Sequence, residues 1–196
     1  MSKVIIIGAS GHGRVIADIV RASGDEVLGF LDDDLSLTNI LGSVADSKKY
    51  PNLEFIIGIG NAEIREKISR LPLKWYTAIH PTAVISPTAV IGEGTVIMAN
   101  SVINNGASVG RHCILNTASV VEHDSILFDY VHVSVGAKLG GTVSIGKRTW
   151  VGIGAVVSNN IFICGDCIIG AGSVVVKDIN IPGTYFGIPA KLHIKE

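Results

Sequence analysis

Starting at Ile85, every sixth residue of the chain is aliphatic, sixteen times in succession without an insertion: Ile85, Ile91, Ile97, Ile103, Val109, Leu115, Val121, Leu127, Val133, Leu139, Ile145, Val151, Val157, Ile163, Ile169 and Val175. A helix of 3.6 residues per turn cannot keep that period, and neither can an ordinary alternating strand, so each hexad must be one side of a regular coil. Three such sides close a triangular prism. The aliphatic side chains point to its axis, each stacked on its counterpart eighteen residues away. Burying each Ile or Val contributes roughly 1.5–3 kcal/mol, but only where neighbouring coils cover it.

Other columns of the repeat agree. Gly92, Gly110, Gly140, Gly146, Gly152 and Gly170 each follow an inward aliphatic residue, where a corner is expected and a positive φ is cheapest for glycine. Ala83, Ala89, Ala107, Ala137 and Ala155 keep the first column small. The expected product is a parallel β-helix of about five coils.

Length and composition bound the rest. With 196 residues, a net charge of -1 and 47% hydrophobic content, the chain is expected to hold one small domain besides the solenoid. No basic surplus points to nucleic acid, and no acidic tail points to a disordered partner. The apolar run Val4 to Ile7 is too short for a signal peptide or a membrane span, so a cytoplasmic protein without membrane insertion is expected. The odd number of cysteines makes no disulfide framework. Cys164 and Cys167 form a lone C-x-x-C in different hexad columns, and are read as structural thiols, with no metal expected.

Before the repeat the periodicity changes. Val4 to Ile7 reads as a strand buried on both faces, followed by the turn Gly8-Ala9-Ser10-Gly11-His12-Gly13 and a helix from Arg14 to Ala22 with Val15, Ile19 and Ala22 on one face. Val27 to Leu31 and Phe55 to Ile59 are further strands, and Asn61 is placed to cap a helix from Ala62 to Leu71. A final strand, Trp75 to Ile79, leads to His80-Pro81. This order predicts a small Rossmann-like unit. Its glycine turn offers backbone N–H groups and a helix N-terminus to a phosphate or pyrophosphate. The order G-x-x-G-x-G departs from the dinucleotide fingerprint, although Asp32 and Asp33 lie at the distance that suits a ribose hydroxyl. The plainer alternative gives the glycines to packing and the aspartates to a turn.

Within the solenoid, Glu122, His123 and Asp124 gather at one corner. An imidazole beside a carboxylate is a base held in one tautomer, against the alternative of a solvated polar corner. His112, His123 and His132 fall at three different places in the hexad. His123 and His132 are therefore expected on different sides of one prism, meeting only if a site lies between subunits of a cyclic oligomer.

The stretches IIIGASGHG at 5 to 13, FLDDD at 30 to 34, IGIGNAEIREKI at 57 to 68, HPTAVISPTAVIG at 80 to 92, NTASVVEHDSI at 116 to 126, HVSVGAKLGGTVSIG at 132 to 146 and GIPAK at 187 to 191 resemble the hexapeptide-repeat nucleotide-sugar N-acetyltransferases. These are of the bacillosamine and perosamine type, grouped with the sialic acid O-acetyltransferases. The resemblance implies a left-handed β-helix, although parallel crossovers are otherwise right-handed. It also implies three regions: a nucleotide-sugar-binding domain at 1–80, an acetyltransferase solenoid at 81–179, and a tail at 180–196 closing the coenzyme site.

By the same likeness the enzyme is a homotrimer with acetyl-CoA along the solenoid between subunits, acting on a nucleotide-linked 4-amino-4,6-dideoxy sugar. His123 would be the general base and Asp124 its orienting partner, where the bacillosamine enzymes have the longer Glu. Asn116 and His132 match the same active site. Gly8, Gly11, His12 and Gly13 match the phosphate-binding turn, with Asp32, Asp33 and Asn61 near the nucleotide. Gly141, Ile153, Gly187, Pro189 and Lys191 match the coenzyme-lining positions. The amine attacks the thioester directly, and the backbone N–H groups of Gly140 and Gly141 are the candidate oxyanion donors. The alternatives are a sugar O-acetyltransferase, a zinc enzyme like the γ-type carbonic anhydrases, and a nucleotide-sugar binder without catalysis.

Overall fold

The computed structural model describes residues 1–193. The first unit consists of β1 (Lys3–Ile7), α1 (Gly11–Ala22), β2 (Glu26–Leu31), β3 (Ile40–Gly42), a 3₁₀ turn (Val44–Lys49), β4 (Glu54–Ile57), α2 (Ala62–Ser69) and β5 (Lys74–Trp75). The strands form one parallel sheet in the order β3-β2-β1-β4-β5. Val4 to Ile7 are completely buried at its centre, as an all-apolar run requires. The strand β3 was not visible in the sequence, because Ile-Leu-Gly is too short to carry a period. α1 begins at Gly11, inside the glycine turn, and buries Ile16, Ile19 and Val20 while Val15 faces out.

The expected strand from Trp75 to Ile79 is two strands in two sheets. Lys74–Trp75 pairs with β4, whereas Ala78–Ile79 pairs with Val96–Ile97. The switch occurs within two residues, where the Tyr76 N–H donates to Phe55 O and the Ala78 N–H to Thr95 O.

From Ala78 the chain winds into a parallel β-helix of mostly two-residue strands. One face stacks Ala78–Ile79, Val96–Ile97, Ile114–Leu115, His132–Val133, Trp150–Val151 and Cys167–Ile169, and is extended by Gly183–Phe186 and Lys191–Leu192. The second runs from Val84–Ile85 to Val174–Val175 in six strands, and the third from Val90–Ile91 to Phe162–Ile163 in five. The helix is thus longer than the five coils expected, because the first face starts before the aliphatic series and the tail adds to it. From Ile97 to Val175 every residue of that series is at most 2% exposed. Ile85 and Ile91, in the first coil, are only partly covered.

The corners correct one expectation. Positive φ occurs three residues after each inward residue from Ile91 to Ile169, at Gly94, Asn100, Gly106, His112, Ala118, Asp124, Tyr130, Gly136, Thr142, Arg148, Gly154, Asn160, Asp166 and Gly172. The glycines that directly follow the inward residue do not take it. They answer to crowding: a Cβ on Gly92 would come within 2.5 Å of the Gly110 carbonyl carbon, and one on Gly152 within 2.5 Å of Ile169 O.

The two units share a core. Ile16, Ile19 and Val20 of α1 belong to one apolar cluster with Ala78, Val96, Met98 and Ile114 of the solenoid. Arg65 of α2, 1% exposed, adds a polar lock. It donates to Ile59 O and Gly60 O on its own side and to His112 O and Tyr130 O across the junction. No helix of the described residues is long and apolar enough to cross a membrane.

Candidate functional site

The glycine turn lies at the carboxyl ends of β1, β2 and β4, where open α/β sheets take ligands. Gly8 has φ +105, and a Cβ on Gly13 would collide with Gly8 O. Only glycine lets α1 start this close to β1. The Ala9 N–H donates to Asp32 Oδ2 at 2.8 Å and the Asp34 N–H to Asp32 Oδ1 at 3.0 Å. Asp33 Oδ1 accepts from the Val44 N–H at 3.2 Å. Asp32 therefore braces the glycine turn and Asp33 the start of the 3₁₀ turn, while the first N–H groups of α1 have no carbonyl partner within the helix, as at any helix N-terminus. Asn61 caps α2 as expected, its Oδ1 accepting from the Ile64 N–H at 3.0 Å. A larger apolar groove of about 810 Å³ lies between the 3₁₀ turn and α2. Of the residues singled out from the sequence, only Asp33 lines it.

His12 at the start of α1 reaches the solenoid. Its ring centroid is 6.4 Å from that of His132, which stacks at 5.9 Å and 11° on Trp150. Asn116 orients His132. Asn116 Oδ1 accepts the Thr117 N–H, so its Nδ2 is the donor at 3.2 Å to His132 Nε2, which leaves the imidazole proton on Nδ1. Burial, with nearby Arg65 adding to it, pushes His12 down to about 4 and His132 down to about 3. Both are neutral at pH 7. His12 Nε2 is buried and makes no hydrogen bond among the described residues. Beside this row a cavity of about 500 Å³ opens between the loop Gly60-Asn61 and the solenoid face.

His123 stands apart from this group, at the corner after the strand Val120–Val121. Asp124 occupies the left-handed position of that corner, φ 56, a conformation Asp tolerates better than most residues. Its Oδ2 meets His123 Nδ1 at 2.9 Å, so the shorter carboxylate does reach. With Nδ1–H donating there, Nε2 is left as a lone-pair base, and the side chain is 57% exposed. Gly141, one coil later, lies against the imidazole, which a Cβ at that position would strike.

The candidate oxyanion donors are corrected. The Gly140 N–H donates to Val157 O at 2.9 Å and the Gly141 N–H to Asn159 Oδ1 at 3.2 Å, so both are spent inside the solenoid.

Ile153, 59% exposed, lies on a different corner from Gly141, so one chain does not bring these two together. In the tail, the Gly187 N–H donates to Ser173 Oγ at 3.1 Å and the Ala190 N–H to Val174 O at 2.8 Å. These bonds fold Gly187, Pro189 and Lys191 over the last coil. His112 is buried between Trp75 and Tyr130 and joins neither of the other solenoid histidines. Among the described residues no three His, Cys, Asp or Glu side chains gather as metal ligands. Cys164 and Cys167 sulfurs lie 3.5 Å apart.

Sequence reasoning missed Arg65 and Trp150. An Arg in a helix reads as exposed, so nothing marked Arg65. Trp150 did carry a signal, since it stands eighteen residues after His132 in the same outward column.

Residues 3–71 match the family described as the PglD N-terminal domain. The chain is 31% identical over 172 residues to GDP-perosamine N-acetyltransferase of Escherichia coli O157:H7, covering 80% of this chain and 78% of the relative. It is 40% identical over 113 residues to UDP-N-acetylbacillosamine N-acetyltransferase of Bacillus subtilis, a match spanning 50% of this chain and 52% of that enzyme. Among solved structures, the acetyltransferase domain of PglB from Neisseria gonorrhoeae superposes with a TM-score of 0.93 at 35% identity, over 98% of this chain and 100% of that one. A variant of perosamine N-acetyltransferase from Caulobacter crescentus, in complex with CoA and GDP-perosamine, gives 0.93 at 33% identity, over 100% and 98%.

Proposed function

The chain belongs to the nucleotide-sugar N-acetyltransferases of the bacillosamine and perosamine type, and from that premise we propose that it moves the acetyl group of acetyl-CoA onto the amine of a nucleotide-linked 4-amino-4,6-dideoxy sugar, with His123 as general base. The observation that carries the assignment of the base is the 2.9 Å contact between His123 Nδ1 and Asp124 Oδ2 on an exposed corner.

The neutral amine attacks the thioester carbon, and His123 Nε2 takes its proton as the C–N bond forms. The C–S bond then breaks, and the departing thiolate recovers that proton as CoA thiol. No enzyme nucleophile is needed, because an amine already attacks a thioester once it is neutral and held close. Asp124 keeps the tautomer that leaves Nε2 free and stabilises the imidazolium that forms.

The glycine turn with His12 and Asn61 would hold the nucleotide, and Asn116 and His132 the sugar. Gly141, Ile153 and the tail residues Gly187, Pro189 and Lys191 would hold the coenzyme. The working unit is a homotrimer with active sites between subunits, in the cytoplasm. Outward Val84, Val90, Ile126, Val156 and Phe162 leave apolar surface on the second and third faces, which supports such packing.

The test is a thiol-release assay with UDP-, GDP- and dTDP-linked 4-amino sugars. His123→Ala is expected to lower kcat at least about 10²-fold while the oligomer and coenzyme binding persist. Near-normal turnover would remove His123 as the base, and acetylation of none of these sugars by the unmodified protein would remove the substrate class.

A further inference from the structure

We propose that Trp150 is the platform on which the sugar ring of the acceptor lies, in the cavity between the start of α2 and the solenoid. The proposal rests on the reading that the substrate is a nucleotide sugar, and it says where the sugar goes. A diphosphate on the glycine turn must send its sugar away from the N-terminus of α1. The row of rings from His12 to His132 to Trp150, at centroid spacings of 6.4 and 5.9 Å, leads from that turn along the solenoid face. It ends in the cavity of about 500 Å³ walled by Gly60, Asn61 and Glu63 on one side and His132, Trp150 and Ile168 on the other.

Trp150 is held for such a role. Its Nε1–H donates to Ser134 Oγ at 2.6 Å and its ring is stacked on His132, so the indole is fixed in orientation. Yet it remains 47% exposed. A large aromatic side chain that is both immobilised and open offers an apolar surface at little entropic cost. The C–H face and the methyl group of a 6-deoxy sugar match that surface. Glu63 across the cavity supplies a carboxylate for the sugar's hydroxyls, giving the combination of apolar surface and placed polar group expected of a small-molecule site.

Kinetics and fluorescence test this together. Trp150→Ala is expected to raise KM for the UDP- or GDP-linked 4-amino sugar that the protein accepts by about tenfold or more. KM for acetyl-CoA and the inhibition constant of bare UDP or GDP should stay unchanged, and Trp150→Phe should restore most of the loss. The protein has two tryptophans, and Trp75 is packed against His112. Titration with the sugar nucleotide should therefore change the emission beyond what bare nucleotide does, and Trp150→Phe should abolish the increment. An unchanged KM in Trp150→Ala, an equal loss for bare nucleotide, or the same emission change with and without the sugar would each overturn the platform. If the unmodified protein acetylates none of the sugars, the proposed activity fails separately. The emission increment then still decides the platform.

Discussion

His123 stands where it does because two glycines make room and one residue accepts a left-handed corner. A Cβ on Gly106 would meet Asp124 Oδ1 at 2.6 Å from the coil below, and one on Gly141 would strike the imidazole from the coil above. Gly141 has no positive φ to lose, and the three atoms nearest to a Cβ at that position all belong to the imidazole. Gly141→Ala should therefore leave the denaturation midpoint nearly unchanged and lower kcat about tenfold or more by displacing His123, since small misplacements at the reacting centre cost large factors. A normal kcat in a protein of unchanged stability would separate Gly141 from the base. That an imidazole and a carboxylate share this corner was legible from adjacency alone. The two glycines holding it from neighbouring coils were not, because their meaning depends on what lies eighteen residues away in three dimensions.

At the scale of the element, α2 is fastened by its one buried cation. Its other buried residue is Ile68, and the helix is only eight residues long, too short to be stable without tertiary contacts. Arg65 joins the Ile59-Gly60 loop to two solenoid corners through four carbonyl oxygens. Burial draws its guanidinium down to about 10, so it stays charged at neutral pH. Arg65→Leu removes four bonds and strands their acceptors, at about 1–3 kcal/mol for each acceptor left buried and dry. A loss of at least about 3 kcal/mol is expected in chemical denaturation, together with weaker nucleotide binding, because Asn61 follows the fastened loop. A variant of unchanged stability would show that the apolar cluster under α1 alone holds the two units together. The sequence marked the Asn cap of α2, and the structure bears the cap out. It did not mark Arg65, since a cation satisfied by carbonyls needs no carboxylate that a pattern search would notice.

For the whole molecule, the junction between the units is also its acid-sensitive part. His12, His112 and His132 all lie there, each depressed chiefly by burial, to about 4, about 4 and about 3. Each takes up a proton near pH 6.5 when unfolded but resists it when folded, so the unfolded state binds more protons below that pH. Stability should accordingly fall as pH drops from about 6.5 towards 4, with a slope of up to about 1.4 kcal/mol per pH unit for each histidine. The upper part of this window, down to about pH 5, lies above the range in which carboxylates titrate. Denaturation midpoints at pH 7.5, 6 and 5 measure it, and His112→Gln should flatten the profile. A constant free energy of unfolding between pH 7 and 5 would show that these imidazoles are not desolvated by the docking of the two units.

The sequence alone dictates the solenoid, because a strict period of six leaves an aliphatic side chain only one place to be buried. It also determined the glycine turn and the histidine–aspartate corner, since both are made of neighbours in the chain. How the two units lock, which glycines serve conformation and which serve crowding, and that Trp150 extends the row of rings begun by His12 and His132 emerge only with the fold. Those features join residues far apart in the chain or in successive coils. Their energy comes from desolvation and close approach, which exist only once the backbone is folded.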